Sequence, residues 1–357
     1  MTLMDYPDFA LPQDGCTTEI MPGVLWVRMT LPFDLDHINL YLLEDSDGWF
    51  VVDTGLGTDA TKTAWERIFS TLNKPVKGVI VTHMHPDHIG LAGWITETFR
   101  VPLYMTNGEY FTSRALLNGS HGGSRWNDHQ YFTRAGLDEQ TVERILSSSK
   151  GFASVVSPIP LAYRRLRDGD VLTINGNRWE VMVGSGHSPE HACLFCHELH
   201  ILLSGDHILP KISPNIGVYS TEPEGNALKE YLNTLSPFLS LPDSTLALPA
   251  HNKPFTGVQE RVNSLRHHHQ RHLSALLQAC STPQSVVDCL PVMFKRELTG
   301  RNIVFAVAEC LSHLNYLMFD NQVSRTVDEQ GIYRYTTIDT PPEDADIGQP
   351  DMDFTTV

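Results

Sequence analysis

The stretch Val79-Ile80-Val81-Thr82-His83-Met84-His85-Pro86-Asp87-His88-Ile89-Gly90 decides how the rest of the chain is read. An apolar run of strand type stops at Thr82, and four side chains with nitrogen or oxygen donors follow within six positions. His83 and His85 alternate, so on an extended backbone they point the same way and can share one cation. Asp87 and His88 sit on the turn that follows and point at a second cation nearby. Neutral imidazole and carboxylate are ligands that zinc and ferrous iron accept.

The same grammar recurs downstream. Val181-Met182-Val183 runs into Gly184-Ser185-Gly186-His187, which makes His187 the third candidate ligand of the first cation. Ile201-Leu202-Leu203 ends in Ser204-Gly205-Asp206, a carboxylate at a strand end whose two oxygens can bridge two cations. Leu246-Ala247-Leu248-Pro249-Ala250-His251 repeats the pattern, and His251 completes the second set.

With these motifs in place the chain resembles the metallo-β-lactamase superfamily, whose His-x-His-x-Asp-His signature and later His, Asp and His at strand ends are all matched. The resemblance covers roughly residues 20 to 260. It also covers Asp53-Thr54-Gly55, and implies that Asp53 supports the metal loop without binding metal. It implies a metal-dependent hydrolase holding two zinc ions, with iron or manganese as substitutes. A water shared by such a pair has its pKa lowered from about 15.7 towards ~7, so no serine or cysteine nucleophile is needed. Asp87 is a candidate proton acceptor. His191, four residues after His187, is a candidate for a hydrogen bond to substrate or for packing behind the ligands.

Bulk properties narrow the function classes. The 357 residues, 41% of them hydrophobic, suffice for one large domain and a small one. A formal charge of -16, from 42 acids against 26 bases, argues against a polyanionic partner, since phosphate contacts need clustered Lys and Arg. The acidic N-terminal residues do not read as a secretory signal, and no uninterrupted apolar run approaches the ~18 residues of a membrane span. Six scattered cysteines form no disulfide framework, which fits a reducing cytoplasm. Cys193-x-x-Cys196 encloses Leu194 and Phe195 in strand context and reads as a pair of buried thiols.

Pattern places short strands at 24–27, 37–44 and 49–52, a helix at 59–72, then the metal-loop strand, a helix at 88–99 and a strand at 102–105. The second half repeats strands at 170–174, 178–183, 192–195 and 201–203, then a helix at 224–239 and a strand at 245–248. The fold class is therefore α+β, and the resemblance implies an αββα sandwich for residues 1–260. Residues 107–150 read as a helical insertion rich in aromatics, among them Tyr110, Phe111, Trp126, Tyr131 and Phe132. As a lid over the site it would suit a small, partly apolar substrate; the other reading is packing. Residues 261–338 read as a small helical domain with a hairpin at 323–336, resembling the winged-helix domain of some superfamily members. Within it Arg266-His267-His268-His269-Gln270-Arg271-His272 reads as a solvated or packing face, with only pairs such as His268 and His272 on one side. Residues 339–357 hold six acids, no Lys or Arg and three prolines, and read as a disordered tail.

The expected activity is hydrolysis of a thioester, lactone or related acyl compound. The alternatives are a phosphodiesterase or nuclease of the same fold and an iron-dependent persulfide dioxygenase. Nothing in the sequence fixes the oligomeric state.

Overall fold

The structure is a computed structural model that describes residues 4–32, 35–119, 126–148, 151–295, 297–298 and 300–338. The tail expected at 339–357 and His121 lie outside them. Strands β1 (Thr17–Met21), β2 (Val24–Thr30), β3 (His37–Asp45), β4 (Gly48–Val52), β5 (Val76–Ile80), β6 (Leu103–Thr106) and β7 (Arg164–Leu166) form one sheet in sequential order. It is antiparallel from β1 to β4 and parallel from β4 to β7. Strands β8 (Val171–Ile174), β9 (Asn177–Gly184), β10 (His191–Cys196), β11 (Ile201–Gly205) and β12 (Leu246–Pro249) form a second sheet in the order β12-β11-β10-β9-β8.

Alternation along β3 explains why the sheets stack. Ile38, Leu40 and Leu42 point to one face, where they pack with Trp65 and Ile68 of helix α1 (Asp59–Thr71). Tyr41 and Leu43 point to the other, where they meet Val181, Leu194 and Leu203 of the second sheet. A strand buried on both sides belongs between layers, and each fully buried large apolar side chain there contributes about 1.5–3 kcal/mol. The helices α2 (Pro86–Ile89) and α3 (Ala92–Phe99) lie on the α1 side, with Ile89 and Ile95 in the same cluster.

The insertion forms α4 (Asn107–Gly119), α5 (Trp126–Ala135) and α6 (Glu139–Ser148). Its aromatics mostly pack inward: Tyr110, Tyr131 and Phe132 are buried, and the Tyr131 hydroxyl donates to Val218 O at 2.6 Å. Phe111 and Trp126 are exposed. Packing is thus the role the structure gives to the buried three. The chain continues with α7 (Ala227–Thr234), α8 (Val258–Ala279), α9 (Val286–Met293), α10 (Arg301–Phe319) and a hairpin of β13 (Val323–Val327) and β14 (Tyr333–Thr337). These cover the outer face of the second sheet in one core shared by Cys193, Phe195, Leu202, Leu265, Leu314 and Tyr335. The expected boundary at 260 falls inside α8, and this core runs across it. Both Cys193 and Cys196 are buried free thiols.

Two expected helices are broken, each for a visible reason. Residues 88–99 split at Gly90 because the His88 carbonyl accepts from Thr54 N (2.7 Å) and the Gly90 carbonyl from Ser157 N (2.7 Å), which competes with the helical ladder. Residues 224–239 end as α-helix at Thr234 and continue as a 3-10 turn, Ser236–Ser240, because Pro237 has no N–H to donate. Strands β1 and β7 were not expected; both are short and largely polar. Residues 302–319 of α10 have the length and composition of a membrane span, with mean hydropathy 1.2, which the count of uninterrupted apolar residues missed. In the fold 61% of that segment is buried, as suits a core helix.

Candidate metal centre

The donor-bearing residues all sit where strands of the two sheets end along one edge of the sandwich. Asp53 follows β4, His83 to His88 follow β5, His187 follows β9, Asp206 follows β11 and His251 follows β12. Donor atoms of His83, His85, His187 and Asp206 lie within 4.8 Å of one another, and so do those of Asp87, His88 and His251. Asp206 ties the groups together. Its Oδ2 is 3.4 Å from His187 Nε2 and 3.6 Å from His88 Nε2, and its Oδ1 is 3.4 Å from His251 Nε2. Asp87 Oδ2 approaches His251 Nε2 at 3.5 Å and His88 Nε2 at 3.8 Å.

The far nitrogens of three rings are already committed. His88 Nδ1 donates to Asp53 Oδ2 (2.7 Å), His187 Nδ1 to Asn215 O (2.9 Å) and His251 Nδ1 to His37 O (2.8 Å). A neutral ring that donates at Nδ1 carries a lone pair at Nε2. Lone pairs on Nε2 therefore face carboxylate oxygens, acceptor against acceptor, and His88 Nε2, His187 Nε2 and Asp206 Oδ1 are buried with no hydrogen-bond partner. Burial of such atoms costs about 1–3 kcal/mol each unless something positive lies between them. Donors on an ion with bonds of about 2.0–2.2 Å stand roughly 3.4 Å apart, so this donor set fits a divalent cation.

The electrostatics point the same way. Burial, reinforced by His88 and other neighbouring rings, holds His83 well below the ordinary imidazole value, and His85 is lowered by burial and His187. Both are thus in the neutral form that a metal requires. Burial would lower His88 too, but Asp53, Asp206 and Asp87 outweigh it and hold the ring well above its ordinary value: three carboxylates favour positive charge at this ring, the charge that a cation at Nε2 would supply. Burial would likewise raise Asp206, yet His251 and His88 keep it well below the usual carboxylate range.

Backbone geometry holds the donors. Asp53 adopts φ 57°, a left-handed conformation that Asp tolerates. Its carboxylate then accepts from Thr82 N and Thr82 Oγ1, both at 2.7 Å, as well as from His88. Asn39 on β3 donates to Pro249 O (2.9 Å) and Asn252 O (2.8 Å), pinning the turn that carries His251. Gly205 is required by contact: a Cβ there would lie 2.5 Å from the His191 ring. His191 itself is wholly buried, stacks on His83 with centroids 4.7 Å apart and accepts from Asp206 N at 3.1 Å. Those contacts place it behind the donors and away from solvent.

Glu109 was not anticipated. Buried at the start of α4, it accepts from Met84 N through Oε2 and from Glu190 N through Oε1, each at 2.8 Å, so one carboxylate joins the loop of His83 and His85 to the loop of His187. Burial raises its carboxyl. Asn215, whose carbonyl holds His187, was also missed. No local sequence pattern marks either residue, because each acts through loops distant in sequence. Lys211 lies beside the Tyr6 ring, 5.9 Å from its centroid.

Comparison with known proteins agrees with this geometry. The sequence profile of the metallo-beta-lactamase superfamily matches residues 33–251, and that of the metallo-beta-lactamase-like C-terminal domain matches residues 273–338. A beta-lactamase domain protein from Burkholderia ambifaria is 40% identical, with a TM-score of 0.88 over 94% of this chain and 98% of its own. A metallo-beta-lactamase family protein from Thermus thermophilus is 31% identical, with a TM-score of 0.76 over 90% of this chain and 100% of its own. Among curated proteins, the probable metallo-hydrolase YqjP of Bacillus subtilis is 23% identical over 89% of this chain and 98% of its own length. The human acyl-coenzyme A thioesterase MBLAC2 is 25% identical over 65% of this chain and 79% of its own. The profile spans more than half of the residues, and with the fold and the clustered donors it establishes that the chain is a metal-dependent hydrolase belonging to the metallo-beta-lactamase superfamily.

Proposed function

We propose that the protein hydrolyses a small acyl substrate, a thioester, lactone or related ester, at a centre of two zinc ions. His83, His85 and His187 would hold one ion, Asp87, His88 and His251 the other, and Asp206 both. The observation that carries this reading is the position of Asp206, which lies 3.4 Å from His187 of the first set and 3.6 and 3.4 Å from His88 and His251 of the second. The likeness to acyl-coenzyme A thioesterases supports the acyl class.

Bound divalent cations supply Lewis acidity and lower the pKa of water towards about 7. The protein's own groups do the rest. Asp53, Asn215 and the His37 carbonyl keep three imidazoles in the tautomer with Nε2 bare. Asp87, partly exposed beside His88 and His251, is positioned to take a proton released at the centre and pass it to solvent. His191 positions the Asp206 backbone and the His83 ring and does not touch substrate. The six unpaired cysteines support work in a reducing, cytoplasmic compartment, and the net charge supports a small-molecule substrate over nucleic acid.

The test combines elemental analysis of protein purified without added metal with turnover of an acyl-coenzyme A, a lactone and a phosphodiester. About two zinc ions at this centre with acyl turnover, both lost in Asp206→Ala, is the expected result. Turnover of the phosphodiester alone would replace the acyl reading with a phosphodiesterase. Iron in place of zinc, without hydrolysis, would point to persulfide oxidation.

A further inference from the structure

Helix α8 lays part of its histidine run against α10, and the rings there fall into two kinds. His269 and His313 are wholly buried and linked: Ser213 Oγ is 3.3 Å from His269 Nε2, His269 Nδ1 is 3.1 Å from His313 Nε2, and His313 Nδ1 donates to Glu309 O at 2.8 Å. Both nitrogens of each ring are thereby used. His268 and His272 differ. They lie one turn apart on the same face of α8, half-buried, with ring centroids 4.3 Å apart. Glu309 reaches them from α10, and one donor atom from each of the three lies within 4.8 Å of the others.

Two further observations concern what these donors lack. His272 Nδ1 is shielded from solvent and has no hydrogen-bond partner. The Glu309 carboxyl is desolvated, and Asn215 Nδ2, at 3.0 Å from Oε2, is the neutral donor facing it. Burial pushes that carboxyl up to about 7 and, helped by His268 and Arg271, pushes His272 down to about 4. Two imidazoles at i and i+4 on one helix face can share a zinc ion, and facing helices can add carboxylate ligands to such a site.

We propose that His268, His272 and Glu309 form a separate binding site for a single transition-metal ion of the zinc type, with the fourth position left to water. Tetrahedral donors on bonds of about 2.1 Å stand roughly 3.4 Å apart, so modest side-chain rotation closes the present spacing onto an ion. The cation supplies the positive charge that the Glu309 carboxylate lacks and occupies the bare nitrogen of His272. Glu309 is bonded to the same Asn215 whose carbonyl holds His187, so the site adjoins the catalytic centre through one residue.

The experiment is metal counting by equilibrium dialysis of chelator-treated full-length protein against cobalt(II), with zinc as a repeat. Wild type is compared with H268A/H272A, with the near-isosteric E309Q, and with D206N/H251A in the catalytic centre. Wild type should bind about one equivalent more than either H268A/H272A or E309Q, and D206N/H251A should retain that equivalent. Equal binding by wild type and a folded E309Q would overturn the proposal, whether or not H268A/H272A folds. Failure of the catalytic-centre reading appears separately, as equal binding by wild type and D206N/H251A.

Discussion

Glu109 is the residue on which the precision of the centre turns. Replacing it with Ala leaves the N–H groups of Met84 and Glu190 without their acceptor, at a cost of about 1–3 kcal/mol for each that stays buried. Metal affinity should fall roughly 10–100-fold, as is usual when a group that orients ligands is lost. Metal titration paired with urea unfolding checks both effects; unchanged affinity would mean that the two loops hold themselves. The seven donors were legible in the sequence because each stands at the end of an apolar run, and strand ends are where an α/β sandwich exposes side chains. Glu109 was not, since its partners are backbone groups 25 and 81 positions away. Asp53 came only through resemblance; its role depends on a left-handed backbone that Asp-Thr-Gly permits but does not announce.

At the scale of elements, close approach decides where regular structure stops. Gly90 separates α2 from α3 and packs so tightly on the Gly55–Gly57 turn that a Cβ would lie 2.4 Å from Gly55 O and from Gly57 N. Backbone cannot yield there as a flexible side chain would. Gly90→Ala should therefore destabilise the fold by about 3 kcal/mol although alanine favours helix, a sign opposite to what propensity alone expects. Chemical denaturation reads it, and a stabilised variant would show that the turn relaxes. Periodicity found α1 within a residue, because its buried positions Thr61, Ala64, Trp65 and Ile68 recur at helical spacing. It missed the breaks at Gly90 and after Thr234, where competing hydrogen bonds and a proline act. For the run from Arg266 to His272 it left solvated and packing faces open; His269 packs because α10 supplies the covering surface from farther along the chain, while His267 and Gln270 stay exposed.

For the whole molecule, the buried histidines set its response to acid. Burial first, with neighbouring positive groups helping, holds His269 at about 2, and burial holds His313 at about 3, against an ordinary 6.5. Between those values and 6.5 the unfolded chain binds protons that the folded one refuses. Their contribution is complete above 6.5 and is lost as pH falls below it, by roughly 1.4 kcal/mol per pH unit for each ring. Of the groups facing them, His268, His272 and Arg261 disfavour protonation, and the Glu309 carbonyl that accepts from His313 favours it without offsetting burial. Metal-free protein should lose thermal stability from pH 6.5 to 5, and His313→Asn should flatten that slope. An unchanged slope would place the acid-labile groups elsewhere.

The candidate donors come from both layers of the sandwich: His83, His85, Asp87 and His88 hang from the seven-stranded sheet, and His187, Asp206 and His251 from the five-stranded one. A cation seated among them is therefore also a rivet between two plates. Its full set of donors exists only once the plates have met, so its grip is strongest on the finished fold. It tightens a finished joint, adding about 2.7 kcal/mol when present at a hundred times its dissociation constant. Scarcity of metal would then be felt first as a loosening of the edge where the sheets meet, before any loss of the fold itself.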